Sequence, residues 1–390
     1  MQTVLVINPG SSSRKYALYK DGVCAFEYAF EKTAVGYEVC RRHQGEQQSC
    51  EASSFEGFSS SLLRIADVTQ KYLKAEKCTL KAVAVRIVAP GTDFQTHTVI
   101  DDIYISKLRS KATAVPLHVP VVLEEIAKAG ELFPDTPLIA VSDSAFHTTM
   151  PKKASEYSLP VADAEAYDIH RFGCHGMSVA SVVNRVHSVI GRDPKRLIVC
   201  HIGGGVSVTA VKEGKSVDTT VGYGVVSGIP MGSRASDLDP SALLELMRMR
   251  NLRPDDALVY VHKNGGLAGL GGDADLRRLF DKKVRGDAQA KLAIEHFVYS
   301  LQKAIAAGSV ALGGIDAIVL TGTAAVRSAE LRERICDGLV HFGIGLDEDR
   351  NDLLVGKEGV ISQQRSMIKV VVMKTDEMGE MARAASDVKK

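Results

Sequence analysis

The sequence contains no tryptophan, and aromatic residues make up only 6% of its 390 positions. Glycine is plentiful instead, at 34 residues, which points to tight turns and loops as in an α/β enzyme. No CxxC pair is present. The seven cysteines (Cys24, Cys40, Cys50, Cys78, Cys174, Cys200 and Cys336) are odd in number and scattered, which argues against a secreted disulfide framework and a zinc knuckle. Charge of one sign is also lacking. Lysine and arginine number 48 and the acids 47, a formal net of +1. Without a strong basic field or polyacidic tail, the chain is not expected to bind nucleic acid or acidic lipid. No apolar run approaches the ~20 residues of a membrane span. The opening MQTVLVINPGSSS lacks the basic and apolar regions of a signal peptide, so the chain is expected to be cytoplasmic.

The length suits two domains at ~150 residues each. The run Val4 to Ile7 reads as a buried strand that stops at Asn8-Pro9-Gly10, and 15–20 with 23–30 as a hairpin about Asp21-Gly22. Residues 31–54 look irregular, as exposed strand and loop. A helix over 58–73, a strand over 82–88, a helix over 119–129 and a strand over 137–141 complete a first α/β set. The second set repeats the opening. A helix over 177–190 leads to a strand over 196–202, the turn Gly203-Gly204-Gly205, and a hairpin about Glu213-Gly214. Helices are expected over 239–248, 254–263, 288–312, 328–340 and 376–385, with strands over 317–320 and 368–373. The simplest architecture is two α/β domains with a site between them.

Several polar residues occupy positions suited to chemistry. Asn8 to Lys15 lies between two strands, where amides and hydroxyls suit a phosphate and Asn8 a metal or its water; a polar β-turn explains the block equally well. It is not a Walker A loop. His201 to Gly205 is a second glycine turn, weak alone but suggestive beside the first. Asp275-Leu276-Arg277 suits a ribose or phosphate, or else a helix-capping acid with a surface arginine. Arg86 interrupts the apolar run 82–88 and needs a partner, since an unpaired buried cation is costly. With Arg234 it suits a carboxylate or a phosphoryl group, the alternative for each being a structural salt bridge. His118 and His175 each stand in a loop before a helix, placed to donate to an anion or to cap structure. Asp143 follows a strand, where α/β proteins place catalytic groups, the alternative being a charge at a helix N-terminus.

In this order, NPGSSSRK (8–15), PLHVP (116–120), DSAFHTTMP (143–151), FGCHGMS (172–178), CHIGGG (200–205) and PMGSR (230–234) resemble the acetate kinase family of short-chain carboxylate kinases. TDEMGEMAR (375–383) matches more weakly. The resemblance spans almost the whole chain. It implies α/β architecture with two similar actin-like (ribonuclease H-like) domains, each with a mixed sheet, facing each other across a catalytic cleft. The first domain would be 1–147 plus the helix 376–390, and the second, nucleotide-binding and dimerising, 148–375.

The same resemblance implies reversible phosphoryl transfer from ATP to acetate, giving ADP and acetyl phosphate, in a homodimer. Asn8 and Glu377 would hold Mg²⁺, with Mn²⁺ as a substitute. Arg86 and Arg234 would hold the acid and steady the phosphoryl group, His175 would donate to that group, and His118 would support it. Asp143 would orient Arg234 and the metal shell. Lys15, His201, Gly203, Gly204, Gly205, Asp275, Leu276, Arg277, Thr323, Ala324, Ala325 and Arg327 would face the nucleotide. Val88, Leu117, Cys174 and Val225 would line the acyl pocket. Two departures stand out. The family's Gly-Ile-Gly-Glu-Asn segment aligns with 323–327, which opens pyrophosphate as a donor. A family phenylalanine aligns with Cys174, which opens propionate or butyrate as the acid. A non-catalytic nucleotide-binding scaffold is the reading of a different class.

Overall fold

The structure, a computed structural model, describes residues 2–388 other than 11, 34 and 117. The chain divides into one unit that ends at Ala145 and resumes at Asp376, and a second from Phe146 to Thr375.

The first unit is built on β1 (Thr3–Pro9), β2 (Ser13–Lys20), β3 (Val23–Thr33), β4 (Gly36–His43), β5 (Ser49–Ser53), β6 (Ala82–Ile87), β7 (Thr98–Val99) and β8 (Leu138–Ser142). They form one eight-stranded sheet in the order β5-β4-β3-β2-β1-β6-β8-β7. The first five strands pair antiparallel in chain order, and β6 and β8 then add in parallel beside β1. The turn between β2 and β3 holds Asp21 and Gly22 both at positive φ, which suits a right-twisted hairpin. Residues 31–54 are more regular than expected. They finish β3 and form β4 and β5, because Val39 gives β4 one buried anchor while the rest of its pattern is polar. The helix expected over 58–73 is interrupted at Ser60, giving Phe55–Ser59 and Ser61–Ala75. On one face of the sheet, Tyr16 on β2 reaches Ser61 and Glu125, on the helices Ser61–Ala75 and Val119–Leu132. The helix Glu377–Asp387 also packs on this sheet, burying Met381, Ala382 and Ala385.

The second unit repeats the central pattern with β9 (Arg196–Ile202), β10 (Val206–Lys212), β11 (Lys215–Thr219), β12 (Ala317–Thr321), β13 (Gly359–Val360) and β14 (Lys369–Val372). Their order is β11-β10-β9-β12-β14-β13. Three antiparallel strands followed by two parallel ones, β11-β10-β9-β12-β14, match β3-β2-β1-β6-β8 of the first unit. Alternation sends Ile198, Cys200, Ile318 and Leu320 to the face covered by the long helix Ala288–Leu312. Leu197, Val199, Val319 and Val371 face the helix Gly176–Ile190 instead. Among the described residues, no helix is long and apolar enough to cross a membrane.

Candidate active site

In the first unit the chemistry gathers where β1, β6 and β8 end. Ile7 pairs with Val85, so the next residues along, Asn8 and Arg86, are neighbours at the strand ends. Arg86 Nη2 donates to Asp143 Oδ2 at 2.7 Å, and Nη1 to Asn8 Oδ1 at 3.3 Å. Glu377 Oε2, in the first turn of the C-terminal helix, lies 4.0 Å from Arg86 Nη1. Asp143 is 1% exposed, and its backbone N–H continues the sheet by donating to Ile87 O. Asp143 thus pairs with Arg86. Lys15 sits opposite Asn8 on β2 and is exposed. Val88 lies buried just past β6, and His118 is the residue that precedes the helix Val119–Leu132. Leu117 lies outside the described residues.

Asn8, Asp143 and Glu377 offer only oxygen donors. Oxygen suits a hard divalent cation such as Mg²⁺, so the residues present fit the metal the resemblance implies.

In the second unit a different group converges. His175 stands in the left-handed region at φ 63°, immediately before the helix Gly176–Ile190. Its Nδ1 is 3.0 Å from Ser207 Oγ, and His201 Nδ1 is 2.7 Å from Ser178 Oγ. The two imidazoles stack with centroids 4.4 Å apart. With Nδ1 occupied, His175 points Nε2 at Gly205, where a Cβ would fall 2.6 Å from it and 3.8 Å from Arg234 Nη1. Glycine at 205 therefore lets the backbone pass close to His175 Nε2 and Arg234 Nη1, where a side chain would collide with the imidazole. Arg234 is oriented by donating to Val225 O at 3.0 Å. Behind His175, His147 Nε2 lies 3.0 Å from the Cys174 carbonyl and its Nδ1 2.9 Å from Ser216 Oγ. Cys174 itself is buried.

The remaining nucleotide candidates divide. Gly203 and Gly204 form the turn between β9 and β10, with Gly203 against His201. Asp275 caps the helix Leu276–Val284 and pairs with Arg277 at 2.6 Å, both open to solvent on the arginine side. Thr323 to Arg327 form a short helix after Gly322, where an added Cβ would strike the Ile202 backbone. Thr323 and Arg327 are exposed and Ala324 half-buried. Ala325 is in the core, so its side chain does not reach a ligand.

Sequence reasoning did not single out Ser178, Ser207, His147 or Arg332. Buried Ser207 sits directly across from His201 on β10, a relation visible only once the hairpin register is known. Arg332, fully buried, donates to the carbonyls of Ala325 and Val326 and so holds the 323–327 helix in place.

The sequence matches the model of the Acetokinase family over residues 3–383. It is 34% identical to an acetate kinase of Oleidesulfovibrio alaskensis, with 99% of each chain covered. It is equally 34% identical to an acetate kinase of Thermotoga maritima, covering 99% of this chain and 98% of that one. Two solved structures align over the full length of both chains: a propionate kinase from Francisella tularensis (TM-score 0.87, 28% identity) and Porphyromonas gingivalis acetate kinase (TM-score 0.83, 30% identity). With the family model and these relatives covering nearly every residue, the chain belongs to the acetokinase family.

Proposed function

We propose that this chain is an ATP-dependent acetate kinase, interconverting acetate and ATP with acetyl phosphate and ADP. Enzymes of the family transfer a phosphoryl group to a carboxylate. The observation that carries the reading is Arg86, a guanidinium held at a strand end by Asp143 and joined there by Asn8 and Glu377. A carboxylic acid with a pKa of ~4 is already ionised near neutral pH, so the attacking oxygen needs no general base. The obstacle is repulsion between two anions. In this reading Arg86 fixes the acid's carboxylate, and Asp143 keeps the guanidinium from swinging away. Val88 and Cys174 line the acyl chain. His175 Nε2 and Arg234 donate to the phosphoryl oxygens, whose charge rises during transfer. His201 and the 203–205 turn take the nucleotide phosphates. Mg²⁺ or Mn²⁺, held by Asn8 and Glu377, would neutralise phosphate charge.

The proposal includes a cytoplasmic homodimer formed through the second unit. The helix Pro240–Arg250 buries none of its residues, although Leu244 and Met249 are 63% and 74% exposed. Light scattering should report twice the chain mass.

A hydroxylamine trapping assay tests the activity, with ATP or pyrophosphate crossed against acetate, propionate and butyrate in the presence of Mg²⁺. Acyl hydroxamate is expected foremost from ATP with acetate. Signal from pyrophosphate alone, or from a longer acid alone, would replace the stated substrate. Silence from folded protein in both directions would overturn the catalytic reading.

A further inference from the structure

The pairing of β4 with β5 sets Cys40 directly opposite Cys50, and their sulfurs are joined, with Cα atoms 4.0 Å apart. The sheet register carries this pair further. Asn8 pairs with Lys15, Lys15 with Ala29, Ala29 with Cys40, and Cys40 with Cys50. These residues form one row across five strands, and partners in such a row share a face. The disulfide thus lies on the same face and row of the first sheet as Asn8 and Lys15.

Holding the fold together is a poor account of this bond. Disulfides gain most by closing long loops in the unfolded chain. This one spans a separation of 10 residues, whose ends the β4–β5 ladder already joins from Tyr37 with Ser53 to Arg41 with Ser49. Its setting favours exchange. Cys50 is exposed while Cys40 is half-buried. Gln48 Nε2 lies 3.6 Å from Cys50 Sγ, an amide donor that favours a thiolate there. Glu38 Oε2 lies 3.6 Å from Cys40 Sγ, a negative charge that disfavours one. Four of the other five thiols are guarded, and Cys78 is half-buried. Cys174, Cys200 and Cys336 are buried, and burial pushes the Cys24 thiol up to about 11 and that of Cys336 up to about 12.

We infer that Cys40 and Cys50 are a reversible thiol–disulfide site for small thiols and disulfides of the glutathione class, with Cys50 the sulfur that meets the reagent. In oxidation, the Cys50 thiolate attacks one sulfur of glutathione disulfide, and a glutathione thiolate leaves. The Cys40 thiolate then attacks the Cys50 sulfur and displaces the second glutathione. Two electrons pass from the protein thiols to the reagent, and the two thiol protons end on two glutathione molecules. Reduction reverses each step and begins with attack on Cys50.

The test equilibrates the full chain in buffers of varied reduced-to-oxidised glutathione ratio, quenches with acid and alkylates free thiols before peptide mass analysis. The segment bearing Cys40 and Cys50 is expected to pass between dithiol and disulfide as a two-electron couple while Cys174, Cys200 and Cys336 stay thiols. In Cys40→Ser, glutathione should accumulate at Cys50 about tenfold faster than it does at Cys40 in Cys50→Ser, following exposure and thiolate character. A pair that stays closed in excess reduced glutathione until urea unfolds the chain overturns the inference. So does a pair that stays reduced in excess glutathione disulfide. Because the titration uses the unaltered chain, misfolding of either variant does not obscure the result.

Discussion

Arg86 occupies a place where a lone cation would be costly, at the end of a strand whose other residues are buried, and acceptor oxygens offset that cost. Its residue type and position announce a buried charge in the sequence. Its partner does not show, because Asp143 is 57 residues away and meets it only through the pairing of β6 with β8. Asp143→Asn keeps the shape and removes the charge. Turnover per acetate encounter, kcat/KM, should fall about 10- to 100-fold, the worth of one charge-assisted hydrogen bond. Unchanged kinetics would show that Arg86 is held without it. His262 makes a separate prediction at this scale. It is fully buried, neither ring nitrogen has a hydrogen-bond partner among the described residues, and burial with the nearby Arg234 charge lowers its pKa to about 4. The fold thus keeps the imidazole neutral, while the unfolded chain takes up the proton first as pH falls. The stability it contributes is complete above the ordinary value of about 6.5 and is lost as pH drops toward about 4, up to roughly 3 kcal/mol. Urea melts at pH 7.5 and 5 should show this loss, and His262→Gln should flatten it. An equal slope in both proteins would exclude His262 as the source.

At the scale of elements, what was readable followed local chemistry. Asp21-Gly22 and Glu213-Gly214 both adopt the positive φ pair that a two-residue hairpin demands, and each was visible as a dipeptide. Apolar runs such as 196–202 are buried strands for the same local reason. β4 and β5 were readable only as exposed strand and loop, since their polar residues show little burial and only the pairing of β4 with β3 and of β5 with β4 makes them strands. The 323–327 helix shows the same limit. Its departure from the family segment was plain, but its support by Arg332 depends on a residue in the following helix that also grips Asn351. Arg332→Gln should cost about 1–3 kcal/mol for each buried carbonyl left unpaired. If the segment serves the nucleotide, KM for ATP should also rise about tenfold with KM for acetate unmoved, a split that uniform destabilisation does not produce. Equal shifts in both constants would make Arg332 purely structural.

At the scale of the whole molecule, the repeated order of three antiparallel and two parallel strands explains why strand, glycine turn and hairpin occur twice in the sequence. The last helix, Glu377–Asp387, belongs to the unit that begins the chain, where it covers β1, β6 and β8. A chain stopped after Thr375 should therefore fail as a first unit rather than lose a dispensable tail. Met381 alone is worth about 2–5 kcal/mol when a core methionine is truncated. Loss of soluble, cooperatively melting protein is expected, and a melt at the original temperature would refute this dependence. By itself the sequence determined the hairpins, the buried strands, the two α/β sets and the family whose motifs it carries, because these depend on residue type and spacing over short stretches. Only the tertiary structure decided that Asp143 holds Arg86, that Ser207 orients His175, and that Cys40 and Cys50 lie in the row of Asn8. Those relations come from strand register and crossover, which join residues far apart in the chain and leave no local mark in it.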